Sequence, residues 1–252
     1  MTGASDRRVR LVTVAVGVAG ILAGLTATAS AQDISVNFGQ GNGLTERVIQ
    51  LIALLTVLSL APSILVMMTS FTRIVVVLSL LRTALGTATA PPNAVIVSLS
   101  LFLTAFVMGP AFQRSYEIGI KPMVANQITV EQAFERSAGP FKEFMLKNVR
   151  DKDLKLFNDL AKEAVPATPE QVSLRILIPA FMISELKRAF EIGFLLFLPF
   201  LIIDLVVASV LMSMGMMMLP PVVVSLPFKL IFFVLVDGWS LVAGSLVQSY
   251  GT

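Results

Sequence analysis

Four ionisable residues stand in the most apolar part of this chain: Glu185, Asp204, Lys229 and Asp237. A charge in an apolar span is expensive, so it faces either a partner or a water-filled path. Glu185 and Lys229 are opposite in sign and far apart in sequence, which suits an ion pair. Their alternative is that each long side chain snorkels to an aqueous surface. Asp204, inside FLIIDLVVASV, fits a proton relay or a structural hydrogen bond. The bond is the better reading, because no second titratable group lies close in sequence. Asp237, before Gly238-Trp239, reads as an end-of-segment anchor with Trp239 at an interface. Between these charges runs Met212-Ser213-Met214-Gly215-Met216-Met217-Met218-Leu219-Pro220-Pro221. Methionine is unbranched and soft, and closes around irregular shapes. At a hairpin between two apolar segments, Met214, Met216, Met217 and Met218 read as a deformable seal; ordinary packing is the bland alternative. Gly215, Pro220 and Pro221 shape that turn.

The chemistry these residues could do is bounded by what is missing. The 252 residues include no histidine and no cysteine. That excludes a Ser-His-Asp triad, a cysteine nucleophile, His or Cys metal sites and disulfides. No phosphate-binding G-x-x-x-x-G-K-[ST] loop is present, and no local motif supports an Asp pair or a Ser-Lys dyad. A non-enzymatic protein without a cofactor is expected. Composition gives the class: 56% hydrophobic and 14% charged, against about 45–50% and about 25% in soluble domains. This is an all-α membrane protein by expectation. A net charge of +3 is too small to argue for nucleic acid.

The elements that must position the charges are punctuated by proline. Residues 1–31 read as a cleaved signal peptide: Arg7, Arg8 and Arg10, an apolar Leu11 to Leu25, and the small residues Ala29 and Ala31 around the cleavage site. An uncleaved membrane helix is the alternative. Residues 32–43 form a polar, Gly-rich lead-in. Residues 44–112 hold N-terminal hydrophobic helices: Leu44 to Met68 with a kink at Pro62, a short run Ile74 to Leu81 between Arg73 and Arg82, and a helix Ala94 to Phe112 after Pro91-Pro92-Asn93. Residues 174–252 form a hydrophobic hairpin region: Leu174 to Phe190, Ile192 to Leu211 and Val222 to Val247, interrupted by Pro179, Pro199 and Pro227. Four crossings follow from a simple count. With the mature start outside, Arg73, Arg82 and the Met-rich hairpin fall inside.

Residues 113–173 are the soluble-looking part, with nine basic and nine acidic side chains from Arg114 to Ser173. Such balance predicts a solvated, partner-neutral outer helical domain. Thr129 with Gln132 is a capping box, and Gly139-Pro140 is expected to break the helix it opens. Phe141, Phe144, Met145 and Asn148 share one helix face, and Leu154, Phe157 and Ala161 another. These phenylalanines read as the domain's own core rather than a partner patch. Thr168-Pro169-Glu170-Gln171 predicts the next helix start. No internal repeat is visible.

The blocks PAFMISELKRAF, FLPFLIIDLVVASVLMSMGMMMLPP and LPFKLIFFVLVDGW closely resemble the FliP family of flagellar type III export-gate proteins, which includes the matching injectisome subunit. LAPSILVMMTSFTRIVVVLSLLRTAL and the Pro91-Pro92-Asn93 turn are also similar. The resemblance covers nearly all of the chain beyond the signal and lead-in. It implies proline-broken hydrophobic helices and hairpins that stack, with other copies and the membrane subunits FliQ and FliR, into a helical export gate for unfolded flagellar proteins. It places that gate in the bacterial inner membrane at the flagellar basal body, with part of the chain on the periplasmic side. It also implies a channel gasket at Met214, Met216, Met217 and Met218, and makes Glu185–Lys229 an intersubunit salt bridge. Asp204 would then bond to a neighbouring subunit.

A secondary transporter is the competing class, since broken helices and buried charges also mark substrate sites. The absence of repeats and the Met-rich constriction argue against it. A signal peptide inclines the resemblance to the flagellar branch over the injectisome.

Overall fold

The computed structural model describes residues 44–252 apart from positions 88, 163–167, 169–170, 217 and 252. The expected signal peptide with Ala29 and Ala31, the lead-in 32–43, and Met217 lie outside the described residues. The chain divides into two compact units, 1–54 and 55–252. Helix α1, Leu44–Met67, opens in the first unit and runs on into the second.

No strand occurs among the described residues. The remaining helices are α2 (Phe71–Leu85), α3 (Asn93–Ser115), a π-helical turn (Tyr116–Ile120), α4 (Lys121–Val124), α5 (Val130–Asn148), α6 (Asp151–Ala161), α7 (Leu174–Ser213), α8 (Pro221–Leu235) and α9 (Gly238–Gln248). Among the described residues, two continuous stretches are long and apolar enough to cross a membrane, Asn93–Val124 and Leu174–Ser213. Helices α8 and α9 make a third only as a pair bent by 63°. The expected single segment Val222 to Val247 is thus broken at Asp237, whose φ of 49° is left-handed. An aspartate tolerates that conformation better than most residues.

Four expected breaks do not occur. Helix α5 passes through Pro140, α7 runs 40 residues through both Pro179 and Pro199, and α8 passes through Pro227. A proline removes one intrahelical bond, but neighbouring helices and local adjustment satisfy the freed carbonyl. In α5 the packing of Phe141 and Met145, both buried, outweighs the lost bond. The capping box forms as expected, with Thr129 accepting from the Gln132 amide and Gln132 accepting from that of Thr129. Helix α7 starts at Leu174, capped by the Ser173 hydroxyl on the Arg175 amide; positions 169 and 170 of the start expected at Thr168 lie outside the described residues.

Helix α2 is the centre of the fold and packs chiefly on α7. Its buried Ile74, Val77, Leu78 and Leu81 meet Ala189 and Phe200 of α7, Phe233 of α8 and Leu246 of α9. At Gly193 the two helices come close; a Cβ there would lie 2.3 Å from Leu80 Cδ1. A second core joins Met108 of α3, Phe141 and Met145 of α5, and Ile176, Leu177 and Phe181 of α7. Phe144, Leu154 and Phe157 pack against it. The phenylalanines therefore are core, as read from sequence. That core is shared with α3 and α7, because two short amphipathic helices cannot bury their apolar faces alone.

Candidate functional site

The hairpin tip is built by its turn residues. Helix α7 ends at Ser213, Gly215 takes φ +74°, and the Met216 amide bonds back to Leu211 O at 3.0 Å. That left-handed φ is why glycine stands there. Pro220 precedes α8 and Pro221 is its first residue, where the missing amide costs nothing. Met218 is 99% exposed, Met214 66% and Met216 40%. The three side chains leave the tip into open space rather than into a core. Below it lies an open apolar groove of about 480 Å³, walled by Val206, Val210, Val224 and Phe228.

At the other end of the α2–α7 contact is a closed polar node. Glu185 is completely buried and Arg73 nearly so. The Arg73 guanidinium donates from Nε to Glu185 Oε2 at 2.9 Å and from Nη2 to Oε1. This is the planar fork that a carboxylate accepts best. Nη1 turns to Ser249, donating to its hydroxyl at 2.9 Å. Tyr250 donates its phenol to Glu185 and sets its ring 3.8 Å from the Arg73 guanidinium carbon. Phe144 stacks on the far side of that ring.

The second charged pair is more open. Lys229 Nζ donates to Asp204 Oδ2 at 2.7 Å and to Ala84 O at 3.2 Å. The Lys229 side chain is 4% exposed and that of Asp204 29%. Ser225, one turn from Lys229, donates to the other Asp204 oxygen. Lys229 therefore ties α8 to α7 and places a cation at the last carbonyls of α2, where a helix favours positive charge.

The expected pair is thus redistributed. Within the chain Glu185 goes to Arg73 and Lys229 goes to Asp204; the two do not meet. Asp204 has the titratable partner that sequence proximity did not offer, and it is bonded inside its own chain. Arg73, expected as an inside flank, is buried. Arg82 does reach the surface, bonding Pro91 O ahead of α3 and the Asn93 side chain at its first residue. Asp237 is exposed, and Trp239, 44% exposed, meets Phe233 edge to face.

Sequence reasoning missed Arg73, Ser249 and Tyr250. The only available signal was an arginine between two apolar runs, since a charge in such a place needs a partner. It also missed a clamp between α6 and α7. Asp153 accepts both Nε and Nη2 of Arg150, at 2.7 and 3.0 Å, and the Ser184 hydroxyl at 2.6 Å. The bonded Arg150 holds the Asp153 carboxyl below its usual range against the opposing effect of burial, and Ser184 adds to the lowering.

An all-helical membrane protein with a Met-tipped hairpin, a buried Arg73–Glu185 pair and a more open Lys229–Asp204 pair is the class defined so far. Residues 54–246 match the model of the FliP family. Three similar proteins are each named flagellar biosynthetic protein FliP. That of Caulobacter vibrioides is 62% identical over 97% of this chain and 91% of its own length. That of Rhizobium meliloti is 55% identical over 81% and 84%. That of Bacillus subtilis is 55% identical over 80% and 91%. The chain belongs to the FliP family.

Proposed function

We propose that this chain is a core, channel-forming subunit of the flagellar type III protein export gate, non-enzymatic and set in the inner membrane. Several copies, together with FliQ and FliR, would pass unfolded flagellar proteins outward. Met214, Met216 and Met218, with Met217 beside them in sequence, would ring the narrowest passage. The observation that carries this reading is the exposure of Met214, Met216 and Met218 on a hairpin tip, with Met218 almost free of its own chain. The flagellar names of the relatives favour this branch over the injectisome.

The charged region packs at the start of α7 and the methionines sit at its end, which supports opposite sides of the membrane for the two. The periplasmic side suits the charged region and the cytoplasmic side the tip. Pairing of Glu185 with Lys229 between copies belongs to the same reading, and would require each to leave its partner within the chain.

The test replaces Met214, Met216 and Met218 by Ala together. Ion leakage across the cell membrane should rise, while the chain still co-purifies with its partner subunits. Unchanged leakage and unchanged secretion of flagellar proteins, with the chain present at normal level, would sink the gasket. A detergent-extracted chain that stays monomeric with FliQ and FliR co-expressed would sink the gate itself.

A further inference from the structure

We propose that the methionine tip is a site of reversible oxidation, where a peroxide turns exposed thioethers into sulfoxides. The described methionines reach two extremes. Met108 and Met145 are wholly buried in the core shared by α3, α5 and α7. Met212, Met214, Met216 and Met218 crowd the end of α7 and the turn after it, with exposures from 40% at Met216 to 99% at Met218. Elsewhere a sulfur is engaged inside the fold: that of Met182 accepts the Thr72 hydroxyl at 3.7 Å. The tip thus offers several thioethers to solvent within two turns of chain, while the core holds its own out of reach.

The step is a two-electron oxidation. A sulfur lone pair attacks one oxygen of hydrogen peroxide, an S–O bond forms and the O–O bond breaks. The proton of the transferred oxygen passes to the departing hydroxide, which leaves as water. Sulfur is oxidised and peroxide is reduced. Return takes two electrons from a dithiol, which becomes a disulfide while the oxygen leaves as water. The sequence has no cysteine, so the dithiol is supplied by another molecule. Position separates this change from unfolding. A sulfoxide at Met108 or Met145 would bury a polar acceptor in an apolar core. At the tip, beyond the last turn of α7, it meets water. There, soft apolar groups become polar and chiral. The modification stands on exposure, whereas its effect on a passage rests on the seal proposed above. Groups that close by excluding water would then hold it, and ions would follow.

The experiment exposes membranes holding the full chain briefly to hydrogen peroxide and reads oxidation at each methionine by peptide mass spectrometry. Met214, Met216 and Met218 should oxidise on the order of tenfold faster than Met108 and Met145, as exposure dictates. The extracted chain should melt at the same temperature afterwards, and a thiol-driven methionine sulfoxide reductase should restore the thioethers. Equal rates at tip and core would overturn the proposal, as would a melting temperature that falls in step with tip oxidation. In cells, peroxide should raise ion leakage above each chain's own baseline, and M214L/M216L/M218L should remove most of that rise. An equal rise in the leucine variant would assign the effect to another group and overturn the tip as its source. Tip oxidation without a rise, where alanine substitution does raise leakage, would overturn the effect on the passage and leave the seal standing. Fast tip oxidation where alanine substitution leaves leakage unchanged would sink the seal and support the modification alone.

Discussion

The two halves of helix α7 differ more than their sequences suggest. Both are apolar; the first carries Glu185 and Glu191 in ion pairs, the second Asp204 alone. The first half buries Ile176, Leu177, Ala180, Phe181, Ser184, Glu185 and Ala189, while the second, beyond Gly193, buries only Phe200 and Leu211. Around Glu185 the neighbours α2, α5 and α6 surround the helix, and every oxygen of the acid is filled. Around Asp204 only α8 and the end of α2 are close, and the acid stays 29% exposed. Composition says that a residue is apolar; it does not say whether its neighbour is the same chain, another chain or lipid. In lipid the hydrophobic effect gives no drive between helices, so close packing and polar bonds must hold them. The first half is a finished fold, and the second leaves most of its apolar surface uncovered by its own chain.

The largest effect expected is at the finished half. Glu185→Ala leaves Arg73 buried without its carboxylate, which costs about 3–5 kcal/mol and should abolish cooperative melting of the extracted chain. Exchanging the two charges, Arg73→Glu with Glu185→Arg, should recover part of that loss. Reversing Glu185 and Lys229 together should not, if the chain's own geometry governs; recovery only in the assembled complex would show instead that these two pair between copies. Loss of the open pair should be milder. Lys229→Met leaves Asp204 its Ser225 bond and access to solvent, for about 1–3 kcal/mol in the same melt.

Smaller again is the Asp153 clamp, on the order of 1 kcal/mol. Its carboxyl titrates below the ordinary range in the fold. Its contribution is therefore complete above about pH 4 and is lost as pH falls through the lowered folded value. The melting temperature of Asp153→Asn should fall less steeply under acid than that of the unsubstituted chain. Parallel curves would remove the clamp from the account. Smallest of all is the tip: Met218→Ala should change stability by less than about 0.5 kcal/mol, since that side chain is free of the fold. A larger loss would make the methionine a packing residue after all.

Much of the architecture was legible where the signal is local. The capping box at Thr129, the helix start after Pro91-Pro92-Asn93, and the face Phe141–Phe144–Met145 each depend on residues within a few positions of one another. The misreadings have one cause in common. Pro140, Pro179, Pro199 and Pro227 read as breaks because their cost is local, whereas the compensation comes from other helices. Arg73 and Glu185 are 112 positions apart, and nothing in a one-dimensional pattern fixes the register of α2 on α7. The tip was identified by its residue types, and its exposure agrees with a role outside the fold, but types alone cannot say what it touches.

Forty residues of helix rise about 60 Å, against a hydrocarbon layer of about 30 Å. Even a tilt of about 40° cannot fit α7 within that layer. With the second half in the hydrocarbon, the first half stands beyond it under the cover of α2, α5 and α6; the opposite placement would leave the bare second half in water. Cells dispose of exposed apolar surface, so the lifetime of this protein should depend on what covers that second half as well as on its own folding free energy.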